Sequence, residues 1–154
     1  MWLDEDSRPE DDEDGATHES KDLALSLDLV HGEMRHLGLD RIDVVIANAG
    51  TSSGFKDIAS TDPDDLLFDF KANAVGPAKL FKALWPRLKA SPAEKDQRKF
   101  VLITSSVASI GGLEQEHFPS TAYGMSKAAA NWWAKKLSIE FKAEGLKVGI
   151  VHPG

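Results

Sequence analysis

The sequence predicts a parallel, doubly wound α/β sheet, from three short β-branched runs that each end in a turn signal and from the helical apolar spacing between them. The runs are 43–47, 99–104 and 147–151. Continuous apolar runs of this length fit buried parallel strands. Between Ser20 and Leu37, apolar residues recur at Leu23, Leu27, Val30, Met34 and Leu37, which is helical spacing. The order is therefore helix, short turn, strand.

Asp62-Pro63-Asp64-Asp65 marks the next helix start. It offers a capping Asp, a proline at the first helical position, and carboxylates at the positive end of the dipole. Leu66, Phe70, Ala74 and Phe81 supply the apolar face, Gly76-Pro77 predicts a kink, and Pro86 predicts a disturbed helix end. Residues 90–98 read as a polar loop. Ser120 or Thr121 opens a long helix on which Tyr123, Lys127, Ala130, Ala134, Leu137 and Phe141 share one face, with Gly145 as its terminator. Trp132 and Trp133 are adjacent on that helix and point in different directions, one to the core and one to the surface or an interface.

In such sheets, ligands sit beyond the carboxyl ends of the strands. Asn48-Ala49-Gly50, Ser105-Ser106 and His152-Pro153-Gly154 all fall there, so three strand ends point to one site.

The chain of 154 residues has room for one domain with a buried core. Its net charge of -7 belongs to one end: Met1 to Asp14 carries eight acids against Arg8 alone, leaving the remainder formally neutral. A like-charge run with little to bury is expected to be a disordered, solvated tail over residues 1–19, followed by the folded domain over 20–154. No basic stripe favours nucleic acid, and no apolar stretch approaches a membrane span. The absence of cysteine excludes disulfides and thiolate chemistry and fits a cytoplasmic setting. The five histidines show no metal-ligand spacing, so no metal is expected.

Tyr123 and Lys127 lie four apart on the long helix, so both side chains project from one face. An ammonium beside a phenol stabilises the phenolate and equips it to exchange a proton with an alcohol or carbonyl oxygen. Alone, this spacing is weak, because ordinary surface pairs produce it often. Its setting is more specific. Tyr123-Gly124-Met125-Ser126-Lys127-Ala128-Ala129 resembles the active-site helix of the short-chain dehydrogenase/reductase family, and the family's other marks follow in order. Asn48-Ala49-Gly50 is similar to the end of the family's fourth strand, and Asn73 to the asparagine of the following helix. Ile103-Thr104-Ser105-Ser106 is similar to the serine-bearing end of the fifth strand, and Pro153-Gly154 to the turn after the sixth. The finer pattern is most similar to fungal ketoreductases of the norsolorinic-acid-reductase type and to C-factor-like proteins.

The resemblance implies a Rossmann-like fold and an NAD(P)-dependent oxidoreductase, with NADP favoured over NAD. It implies Tyr123 as general acid in reduction and base in oxidation, with Lys127 supporting its phenolate and bonding the nicotinamide ribose. Ser105, with Ser106 as the alternative, would polarise a small carbonyl or alcohol substrate. Asn73 would hold a water in a proton relay. Asn48, Ala49, Gly50, Pro153 and Gly154 would lie against the cofactor. A homodimer through the helices of Asn73 and Tyr123 is implied as well. The interval from Ser105 to Tyr123 is longer than usual in the family, so the loop from Gly111 to Ser120 is expected to bulge and shape the substrate pocket.

The family's Thr-Gly-x-x-x-Gly-x-Gly turn, whose amides bind the pyrophosphate, has no counterpart here: upstream of Asn48 the glycines are Gly15, Gly32 and Gly38. The expected domain is thus incomplete, without the first strands and the last. An alternative expectation follows, that of a cofactor-incompetent remnant that is inert or acts as a protein partner.

Overall fold

The computed structural model describes residues 32–92, 97–115 and 117–153. The acidic tail, the greater part of the helix expected from Ser20, and Gly154 lie outside the described residues. The chain divides into two units, Met1–Leu39 and Asp40–Gly154. In the first, residues 32–36 are helical and the turn closes at Gly38, whose φ of 65° is left-handed.

The second unit holds the sheet. Its strands are β1 (Val44–Ala47), β2 (Lys99–Ile103) and β3 (Lys147–Val151), in the spatial order β1-β2-β3 and all parallel. Val45 pairs with Phe100, and Phe100 with Val148. Two long helical segments connect them. The first comprises α1 (Pro63–Phe70), a π-helical turn (Lys71–Val75) and α2 (Gly76–Lys89); the second is α3 (Thr121–Glu140). This is the Rossmann-like arrangement of parallel strands and flanking helices that the sequence predicts.

The core lies on one face of the sheet. Phe100 of β2 is fully buried and meets Phe81 of α2 and Trp133 of α3 edge-to-face, at ring distances of 5.6 and 5.7 Å. Phe81 in turn meets Trp85 and Phe141, forming an aromatic cluster under the sheet. Trp133 is thus the inward tryptophan, and Trp132 is exposed. The strands were expected to be buried throughout. In β1, however, burial alternates: Val45 and Ala47 are covered while Val44 and Ile46 are exposed. Successive side chains point to opposite faces, and α2 and α3 cover the same one.

Asp62 caps α1 as expected, its carboxylate accepting the Asp64 N–H at 2.9 Å. The kink expected at Gly76-Pro77 takes the form of the π turn, in which the Gly76 N–H reaches back to the Lys71 carbonyl. Pro77 explains it: a proline ring clashes with the carbonyl four residues earlier, here that of Asn73, and one extra residue in the turn relieves the clash. Pro86 does not end α2, which runs on to Lys89 with Pro86 on its solvent side. The expected apolar face of α1 is also corrected. Phe70 is exposed along with Leu67 and Phe68, whereas Asp69 and Asn73 are fully buried. That face meets loop backbone and the hydroxyl of Ser126, which call for hydrogen-bonding groups.

Among the described residues no helix is long and apolar enough to cross a membrane.

Candidate active site

The loop after β1 is fastened to the first helical segment by two buried side chains. Asn73 accepts the Thr51 N–H through Oδ1 at 2.9 Å and donates to the Thr51 carbonyl through Nδ2 at 2.8 Å. One turn earlier, Asp69 accepts from the Ser53 hydroxyl at 2.8 Å and from its N–H at 3.2 Å. The π turn carries Asn73, so the proline that forces this turn also sets the position of its amide. Asn73 Nδ2 further reaches Ser126 Oγ on α3 at 2.8 Å, and Ser126 donates to the Tyr123 carbonyl at 2.7 Å. One amide thereby ties the β1 loop to the helix that bears Tyr123 and Lys127.

Lys127 is buried, with 4% of its surface exposed. Its Nζ donates to the Ile103 carbonyl at the end of β2, at 3.0 Å, and lies 5.6 Å from the centre of the Tyr123 ring. Burial pushes its pKa below the ordinary lysine value. An ammonium has three donors, and the Ile103 carbonyl takes one. Two glycines make this packing possible. A Cβ on Gly50 would stand 2.9 Å from Asn73 Oδ1 and 3.2 Å from Lys127 Nζ. A Cβ on Gly124 would stand 3.2 Å from the Val107 carbonyl, so this glycine lets the first turn of α3 approach the segment that follows Ser105.

These elements enclose a cleft of about 460 Å³ at the carboxyl ends of β1 and β2. Of the residues singled out from sequence, Asn48, Gly50, Ser105, Tyr123 and Lys127 line it. Asn73 stands behind the wall, bonded to Thr51. Ala49 and Ser106 do not line the cleft, nor does the exposed Pro153. Gly154 is outside the described residues. Phe118 and Ser120 line the cleft from the loop that was expected to shape it, and Phe55, also in the lining, packs edge-to-face against Phe118.

Sequence reasoning missed Thr51, Ser53, Asp69, Ser126 and Phe55. The only available signal was the spacing of Asp69 and Asn73, one turn apart on a segment preceded by the hydroxyl-rich run Thr51-Ser52-Ser53. Among the described residues, no cluster of three or more His, Asp or Glu side chains is arranged to hold a metal.

A parallel α/β sheet with flanking helices, and a cleft beyond its strand ends that holds a tyrosine and a buried lysine from one helix, defines a Rossmann-like protein. The short chain dehydrogenase family model matches residues 23–154, and the chain belongs to that family of oxidoreductases. It is 35% identical over 118 residues to the norsolorinic acid ketoreductase of Aspergillus parasiticus, covering 76% of this chain and 42% of that protein. To a short-chain dehydrogenase of Neurospora crassa it is 32% identical over 136 residues, covering 88% of this chain and 50% of the other. The chain thus spans half or less of these relatives' length. Among solved structures, a short-chain dehydrogenase from Streptomyces avermitilis superposes with a TM-score of 0.65 at 30% identity, over 84% of this chain and 43% of that one. The NADPH-bound carbonyl reductase from chicken fatty liver shares the fold with a TM-score of 0.75 at 23% identity, over 83% and 52%.

Proposed function

We propose that this protein is a nicotinamide-dependent carbonyl reductase, acting in reverse as an alcohol dehydrogenase. The observation that carries the reading is the pairing of Tyr123 with the buried Lys127 in one cleft, beside the hydroxyl of Ser105.

When bound, the nicotinamide supplies or accepts the hydride at the substrate carbon. The residues of the chain handle the oxygen. In reduction the Tyr123 hydroxyl donates its proton to the carbonyl oxygen as negative charge develops there, and in oxidation the phenolate takes that proton back. Ser105 donates a hydrogen bond to the same oxygen and shares the stabilisation of that charge. Lys127 stands beside the Tyr123 ring, and its two remaining donors suit the vicinal hydroxyls of a ribose. A buried ammonium with donors to spare beside an open cleft is the feature that fits the nicotinamide ribose. Asn73 holds Thr51 in place, and the second lone pair on its Oδ1 suits a water in a proton relay toward Lys127.

Asn48, Ala49, Gly50, Pro153 and Gly154 are assigned to the cofactor on their resemblance to the family's strand-end motifs, with Asn48 and Gly50 in the lining of the cleft. Among the described residues, none forms a phosphate-binding turn, so the fit covers the nicotinamide ribose and not the pyrophosphate. The cofactor is proposed as NADP or NAD, with NADP favoured. Leu67 and Phe68 on α1, with Trp132 and Ile139 on α3, are exposed apolar side chains and support a homodimer through these helices.

Saturation-transfer NMR with NADPH and the purified chain tests the cofactor assignment without requiring tight binding. The ribose and nicotinamide protons should saturate in the wild type and lose that signal in Lys127→Ala; equal signal in both proteins overturns the assignment. Tyr123→Phe should lower NADPH-dependent ketone reduction by about 10²- to 10⁴-fold with cofactor saturation unchanged. Tyr123 is the only tyrosine in the sequence, so retained turnover in that variant removes it from the mechanism.

A further inference from the structure

The lining of the cleft combines two kinds of group. Asn48, Gly50 and Lys127 belong to it, and so do Phe55 and Phe118, whose rings stand 5.1 Å apart at an interplanar angle of 84°. Both rings are open to solvent, at 72% and 52% exposure. Each is therefore apolar surface left uncovered beside a polar site.

The pair is held rather than loose. Residue 55 sits in the long segment after β1 and residue 118 in the loop before α3. The neighbouring backbone locks the two together, with the Thr121 N–H donating to the Lys56 carbonyl at 3.1 Å. Lys56 is itself pinned to α1 by an ion pair with Asp65 at 2.6 Å. Rings fixed on two joined segments lose little freedom when a ligand arrives. The rest of the lining narrows the ligand further. Lys127 is the only charged side chain in it, and the remaining walls are hydroxyls and apolar groups such as Ile103 and Val107. Among the described lining residues, Lys127 alone carries a charge that could pair with a carboxylate or phosphate on the substrate.

We propose that Phe55 and Phe118 form an aromatic clamp that selects ketones or aldehydes carrying a flat aromatic ring. The carbonyl points inward to Tyr123 and Ser105, and the ring lies against the two phenylalanines. Offset and edge-to-face contacts with a substrate ring favour it over an alkyl group of equal area. This inference rests on the carbonyl-reductase reading for the orientation of the substrate, though not for the clamp itself.

The test separates binding from turnover. Dissociation constants for 2-acetylnaphthalene and for an aliphatic methyl ketone of matched hydrophobicity are measured by ligand-observed NMR on the full chain. The wild type should favour the aromatic ketone by about 2- to 10-fold. Phe55→Leu and Phe118→Leu keep apolar bulk at exposed positions. Each should abolish that preference while leaving aliphatic affinity within about twofold. Equal affinity for the two ketones, or a preference that survives in both leucine variants, overturns the clamp. Reduction is assayed in parallel: selective aromatic binding without turnover keeps the clamp and sinks the reductase reading. Turnover without aromatic preference does the reverse.

Discussion

The amide of Asn73 clasps the backbone of Thr51 from both sides, accepting its N–H at 2.9 Å and donating to its carbonyl at 2.8 Å. Asn73 is fully buried and has a third bond, to Ser126. Asn73→Ala would leave the Thr51 groups without their partner and remove the bond that Ser126 Oγ accepts, and a buried group left unpaired costs about 1–3 kcal/mol. Asn73→Ala should therefore lose about 2–4 kcal/mol in urea unfolding. Asn73→Asp keeps the acceptor to Thr51 N–H but loses both donated bonds, so it should not recover the wild-type value. Full recovery by Asp would mean that the donated bonds contribute nothing.

Gly50 is the second constraint on the same spot. A methyl group there would press on Asn73 Oδ1 at 2.9 Å, below ordinary contact, and on Lys127 Nζ at 3.2 Å. The lysine end can swing away, but Asn73 is held by three hydrogen bonds. Gly50→Ala should cost about 1–3 kcal/mol of stability as an overpacking change. It should also displace Lys127, so any reductase activity falls further than the stability loss explains. A crystal structure of the variant with Asn73 and Lys127 unmoved would contradict this.

What the sequence made legible was whatever repeats or carries a residue-type signature. The three strand ends and the long helix of Tyr123 and Lys127 stand where periodicity places them. Contacts to backbone were hidden, because Thr51 meets Asn73 through amide and carbonyl groups that any residue would offer, and Ser53 adds to its own N–H only a hydroxyl that many loop residues carry. The π turn was half legible: Gly76-Pro77 announces a break, but only the position of the Asn73 carbonyl under the proline ring shows how the helix absorbs it. Apolar spacing misled at Phe70, since the neighbours of α1 on its buried side are polar loop and hydroxyl groups. Phe55 and Phe118 lie 63 positions apart in two loops, and nothing in either segment predicts that they meet.

The burial of Lys127 predicts how stability depends on pH. Desolvation holds its folded pKa below the ordinary value of 10.5. Below the folded value both states carry the proton, and the cost of burying the charge is present in full. As pH rises through the folded value toward the unfolded one, the folded state gives up its proton first. The unfolded state then binds more protons, and this group's contribution to stability rises. Lys127→Met removes it. Urea unfolding of both proteins as pH is raised toward 10.5 should show wild type gaining on the variant. A constant difference across that range would mean the ammonium is not held in a desolvated site.

Arg98 makes the last prediction, away from the cleft. Its guanidinium donates from Nε to the Ser91 carbonyl at 2.6 Å, from Nη2 to the Lys89 carbonyl at 2.6 Å, and from Nη1 to the Glu144 carbonyl. One residue thus joins the end of α2, the segment after it and the turn before β3, immediately ahead of β2. Hydrogen bonds from a charged group contribute about 1.5–3 kcal/mol each when well formed, less where solvent competes. With partial exposure here, Arg98→Ala should cost about 2–4 kcal/mol. Arg98→Lys should recover less than half, because a single ammonium cannot span three carbonyls set to a planar fork. The adjacent Lys89–Glu144 ion pair, at 3.1 Å with both side chains about half exposed, serves as the control. Screened by solvent, its removal by Lys89→Ala should change stability by no more than about 0.5 kcal/mol. Equal losses from Arg98→Ala and Lys89→Ala would mean that charge alone, and not the fork, holds the three segments together.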